Sequence, residues 1–89
     1  MEDKTFHRSE SITSRDVEDE MLLVDTQNMQ VHQLNRTASL VWEKCDGMHT
    51  VGDIIESLIN EYDVKPEVAK QEVISLIAQL QDLKLIMSR

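Results

Sequence analysis

Eighty-nine residues are the length of a single domain, too short to hold a catalytic domain beside a separate cofactor domain. Seventeen acidic against nine basic residues give a formal net charge of −8, the wrong sign for neutralising phosphates, which argues against a nucleic-acid partner. No apolar run approaches the roughly 18 residues of a membrane span, residues 1–10 carry no apolar signal segment, and one cysteine supports neither an internal disulfide nor a thiolate zinc site, so the expectation is a cytoplasmic, acidic, partner-binding module without a membrane role.

Residues 1–20 hold seven acids and three bases, with only Met1, Phe6, Ile12 and Val17 clearly apolar. A stretch with so little to bury does not order itself. Residues 1–8 are therefore expected to be disordered, with residues 9–89 forming one domain. Within it, 9–14 reads as a weak edge strand around Ile12, and 15–20 as an acidic connector. The run 21–25 (MLLVD) and the alternating 29–34 (MQVHQL) read as two strands. Thr26, Gln27 and Asn28 join them as a hairpin, with Asn28 suited to a left-handed turn position.

Three helices follow. Asn35 is a good N-cap, with Ala38, Val41, Trp42 and Cys45 behind it at helical spacing and Gly47 as a stop. Thr50 opens a second helix with Asp53 in its first turn, and Val51, Ile54, Ile55, Leu58, Ile59 and Tyr62 form its apolar stripe. Pro66 starts a third, which carries Ala69, Val73, Leu76, Ile77, Leu80 and Leu83 on one face. Residues 85–87 form a short apolar tail, a strand or a cover. The fold class is α+β: a small N-terminal antiparallel sheet of two or three strands followed by three helices, with a winged helix-turn-helix-like shape.

Nothing in this order supports catalysis. His7, His32 and His49 are far apart and lack metal-ligand spacing. His32, in mid-strand, is expected to face solvent, with contact to a bound partner as the sharper alternative. Cys45 lies on the apolar face beside Trp42, where burial makes a thiol inert. Gly47 and Gly52 form no phosphate loop. Ser57-Leu58 superficially resembles the prosthetic-arm site of carrier proteins, but Glu56 precedes it and Ser57 sits inside a continuous helix. No catalytic residue, metal ligand or cofactor is expected.

A binding edge remains. A sheet this small leaves an edge unpaired, and a strand at 29–34 can receive an extended peptide through its free backbone groups. The third helix offers a second wall. Ile74 and Ala78 are displaced from its main stripe, with Lys70 and Gln81 nearby, and either line a groove or only widen the core face.

The segment VHQLNRTASLVWEKCDGMHTVGDI, residues 31–54, resembles the PqqD family signature: a strand ending in Leu-Asn, a helix with Thr-Ala and Val-Trp-Glu, then Asp-Gly and a helix-starting Thr. Leu23-Val24-Asp25 upstream and Glu61-Tyr62-Asp63-Val64 downstream also fit, so the likeness extends from about residue 19 to 86. The resemblance implies a winged-helix-like recognition element that binds the leader of a ribosomally made precursor peptide. The leader would add to the third strand, rest against the third helix, and be presented to a modifying enzyme, commonly a radical S-adenosylmethionine enzyme. The founding pathway makes pyrroloquinoline quinone. The resemblance thus implies a peptide chaperone without catalytic activity. It places Leu34, Ala38, Trp42 and Ile54 in the core and peptide contacts at Met29, Gln30, Val31, His32, Gln33, Lys70, Ile74, Ile77, Ala78 and Gln81.

Two other classes compete. A winged-helix DNA-binding regulator needs a basic recognition helix, yet residues 66–83 hold Lys70 against Glu67, Glu72 and Asp82. A structural subunit could dimerise through the same open edge, so the expected state is a monomer or a weak homodimer.

Overall fold

The structure, a computed structural model, describes residues 2–88. In chain order it contains β1 (Thr5–Arg8), β2 (Ile12–Val17), β3 (Glu20–Asp25), β4 (Gln30–Leu34), α1 (Arg36–Lys44), β5 (Asp46–Thr50), α2 (Val51–Tyr62), α3 (Pro66–Asp82) and β6 (Ile86–Ser88). The strands form two antiparallel sheets of three, ordered β2-β3-β4 and β5-β1-β6. The class is α+β, as the sequence implies, with more sheet than expected.

Turn chemistry shapes the first sheet. Val17 faces Glu20 across a two-residue turn in which Glu18 takes a left-handed φ of 58°, the conformation that matches the twist of a tight hairpin. The residues expected to be a connector, 15–20, therefore form the end of β2, the turn and the start of β3. In the second hairpin Asp25 faces Gln30, and the left-handed residue is Met29, with φ 55°, rather than Asn28. Asn28 serves the turn differently. Its side-chain amide donates to the Asp25 carboxylate at 2.8 Å, and the backbone N–H groups of Gln27 and Asn28 donate to it at 3.1 Å. Asp25 is only 3% exposed, and these bonds satisfy it.

The helices start as their caps dictate. Asn35 accepts from the Ala38 N–H at 2.9 Å. Thr50 and Asp53 form a reciprocal capping box, at 3.1 and 3.0 Å. Pro66 takes the first turn of α3. Helix α1 ends earlier than expected, at Lys44, where the Cys45 N–H bonds to the Trp42 carbonyl. Gly47, expected as the helix stop, adopts φ 79° inside β5.

The largest departure lies at the N-terminus. Within residues 1–8, expected to be disordered, Thr5–Arg8 forms the central strand of the second sheet; Met1 lies outside the described residues. Phe6 is 2% exposed and joins the same core as Leu23, Val41, Ile54, Ile77 and Ile86. The stretch is ordered by distant partners: β5 on one side and β6 on the other. It also completes α2, because the Lys4 and Glu2 carbonyls accept the Val51 and Gly52 N–H groups at 2.9 Å. Those are donors that a helix start leaves without intrahelical partners.

Candidate functional site

The first sheet ends at β4, whose far side carries no neighbouring strand among the described residues. Which of its backbone groups are unpaired follows from hydrogen-bond alternation. The Thr26 N–H bonds to the Ser11 carbonyl, so in the unbroken β2–β3 register Thr13–Val24, Arg15–Leu22 and Val17–Glu20 are the bonded pairs. Leu23, Asp25 and Met21 must then bond on the other side, to His32, Gln30 and Leu34. The backbone N–H and C=O groups of Val31 and Gln33 are left turned towards the open edge. Their side chains lie on the outer face of the sheet, where Val31 is 63% exposed and the Gln33 amide donates to the Glu20 carboxylate.

His32 is not the solvent-facing residue that strand alternation suggests. It is half-buried, on the same face as Leu34, with Nε2 buried and unpartnered among the described residues. Met29, at the turn, is 86% exposed, and Gln30 is exposed beside it.

Helix α1 packs against β3, β4 and α3 and so lies between the sheet and the last helix. On α3, Lys70, Ile74, Ala78 and Gln81 fall at i, i+4, i+8 and i+11 and share one stripe. Lys70, Ala78 and Gln81 are exposed, and Ile74 is half-buried. Ile77 does not belong with them: it is 0% exposed, in the core stripe with Ala69, Val73 and Leu80, so its side chain cannot contact a ligand. A shallow depression with an apolar floor surrounds Ile74, bounded by Glu67, Lys70, Gln71 and Ser75. A larger, more polar depression sits at the other end of the stripe. There Gln81 and Lys84 stand on one wall, Asp25, Gln27 and Asn28 on another, and β6 closes it with Met87. The β3–β4 turn and the end of α3 thus border one hollow.

Sequence reasoning missed Gln27, Lys84 and Met87 at that hollow, and it missed Glu2. The Glu2 carboxylate lies 2.8 Å from the Lys70 ammonium, which holds the carboxyl below its usual range and the ammonium above its own. The polar turn at 26–28 was the available signal for Gln27. Nothing local announces the others.

Other reactive groups are held structurally. Burial pushes the Cys45 thiol up to about 12, which suppresses the thiolate. His49 Nδ1 lies 3.0 Å from both oxygens of Asp46, and with the Met48 N–H it depresses the Asp46 carboxyl to about 2. The Ser57 hydroxyl donates back to the Asp53 carbonyl within α2. Among the described residues no three His, Cys, Asp or Glu side chains are grouped to hold a metal, and no helix is long and apolar enough to cross a membrane.

The family model for coenzyme PQQ synthesis protein D (PqqD) matches residues 20–86. This chain belongs to the PqqD family. The PqqD match begins at β3, so β1 and β2 precede it. Among solved structures, TbiB1 in complex with the TbiA(beta) leader peptide is similar over 90% of this chain and 93% of that one, at 19% identity and a TM-score of 0.81. A lasso peptide synthetase B1 complexed with the leader peptide is similar over 92% of this chain and 96% of that one, at 24% identity and a TM-score of 0.81. The heterocyclase TruD has the fold within a much longer chain, 97% of this one covering 12% of that one, at 15% identity and a TM-score of 0.68. At these identities the likeness is one of fold. No curated protein matches.

Proposed function

We propose that this PqqD-family protein binds the leader segment of a ribosomally made precursor peptide and presents it, without itself catalysing a reaction, to a modifying enzyme. The observation that carries the reading is the open β4 edge, where the backbone groups of Val31 and Gln33 face outward. An extended peptide pairs with that edge through main-chain bonds worth about 0.5–1.5 kcal/mol each. Alternate peptide side chains then point towards the α3 side, where His32, Ile74 and Ala78 receive them. Binding by main-chain bonds needs no basic patch, which suits a chain of net charge −8.

Two structural neighbours hold leader peptides, and in TruD the same fold is part of a longer heterocyclase. This supports a division of labour in which the present domain recognises and a partner modifies. The partner is a radical S-adenosylmethionine enzyme or another peptide-modifying enzyme, in the pyrroloquinoline quinone pathway or another modified-peptide pathway. The protein acts in the cytoplasm, as a monomer or a weak homodimer.

The test is a chemical-shift titration of isotope-labelled protein with the precursor leader encoded beside its gene. Shifts concentrated on Met29–Gln33 and on Lys70, Ile74, Ala78 and Gln81 are expected. Shifts confined to other surfaces, with β4 unmoved, would overturn strand addition. A self-associating structural subunit would instead show β4 shifts that depend on protein concentration without peptide.

A further inference from the structure

Lys70 is the only base on α3, which otherwise carries Glu67, Glu72 and Asp82. In a chain of net charge −8 it is a single positive point on a negative helix. It stands at the rim of the apolar depression around Ile74, one turn from that side chain. Its partner is Glu2, and Glu2 is not a freely wandering terminus. Its carbonyl accepts the Gly52 N–H at 2.9 Å, and two residues on the Lys4 carbonyl accepts the Val51 N–H. The backbone of Glu2 is thus anchored to the start of α2, and its carboxylate reaches across to α3. Both side chains of the pair remain about half exposed, at 54% and 51%, so an arriving ligand can reach the ammonium.

We propose that Lys70 selects an acidic side chain on the bound peptide, and that Glu2 occupies Lys70 in the free protein as a tethered competitor. The proposal rests on the peptide-binding reading above and adds the chemistry of the ligand: an extended peptide with an Asp or Glu beside an apolar residue. The apolar residue enters the Ile74 depression while the carboxylate replaces that of Glu2. The exchange swaps one ion pair for another, so Glu2 lowers the affinity of any peptide that displaces it, and only an acidic peptide returns a partner to Lys70. A non-acidic peptide must either leave the Glu2–Lys70 pair in its way or strand Lys70 unpaired. Exposed ion pairs are weak, so the competitor tunes binding rather than gating it.

Random peptides displayed on phage, selected on the immobilised full-length protein and on Lys70→Glu and Lys70→Gln, test the assignment. Lys70 is exposed, so all three proteins are expected to fold alike, checked by circular dichroism. Asp or Glu should be enriched at one position on the wild type, Lys or Arg on Lys70→Glu, and neither on Lys70→Gln. A peptide selected on the wild type should bind Glu2→Gln about two- to fivefold more tightly, the range an exposed ion pair supplies. Equal enrichment on all three proteins would overturn the Lys70 assignment and leave peptide binding standing. Unchanged affinity for Glu2→Gln would overturn the competitor. Enrichment of no peptide on any of the three, or binding that survives Val31→Pro undiminished, would overturn the underlying reading as well.

Discussion

The indole of Trp42 is 5% exposed, and the Arg8 guanidinium lies 5.3 Å above its ring while donating to the Glu43 carbonyl. One cation from β1 thus covers the tryptophan and meets the carbonyls at the end of α1, where positive charge is favoured. Replacing Trp42 by alanine should cost about 3–5 kcal/mol, read as a lowered urea midpoint. A midpoint unchanged by the substitution would remove Trp42 from the core. The Asp46–His49 pair makes a different prediction. Asp46 titrates at about 2 in the folded protein, against roughly 3.9 for an unperturbed aspartate. A depressed folded value stabilises the fold above the unfolded one and is lost as the pH falls through the folded one. Melting temperature should therefore decline between about pH 4 and pH 2, with a shallower decline in Asp46→Asn.

Among the elements, β4 gives the cleanest test. Proline at Val31 removes an N–H that faces the open edge, so the β3–β4 ladder keeps its bonds and the helices stay folded. Leader affinity should fall about tenfold, the equivalent of one main-chain bond of about 1.4 kcal/mol. The same change at His32 strikes an N–H bonded to β3 and should instead unfold the hairpin. A folded Val31→Pro with full affinity would end the strand-addition model. The position of this strand was legible in the alternation of 29–34, and the helices were legible because caps and apolar spacing are local signals. Which face of β4 bonds outward was not legible, because it depends on a partner contact between Thr26 and Ser11. Strands β1 and β5 were hidden for the same reason. Thr5 pairs with Thr50 and His7 with Met87, far beyond any window that a propensity senses. On α3 the spacing put Ile77 in the core and the family resemblance put it in the groove, and packing assigns it to the core alone.

At the scale of the whole molecule, β1 is the tie between halves. It pairs with β5 and β6 and fills the core with Phe6, while Lys4 and Glu2 just before it supply acceptors to α2 and Glu2 reaches α3. Deleting residues 2–8 should therefore lower the melting temperature and expose Trp42, seen as a red shift of its emission. A truncated protein that melts like the full chain would return these residues to the disordered tail the composition suggests.

The pairing of Phe6 with Ser88 and Arg8 with Ile86 also orders events in time. The β3–β4 hairpin and the helix starts close over short stretches of chain. Joining β1 to β6 closes a loop of almost the entire sequence, whose entropy must be lost before any contact compensates for it. During synthesis β1 leaves the ribosome well before β6 and waits for it. Folding is therefore expected to show an early phase in the β4 and helix amides and a late one in β1 and β6 by pulsed hydrogen exchange. The open β4 edge is built before the strand that finishes the domain.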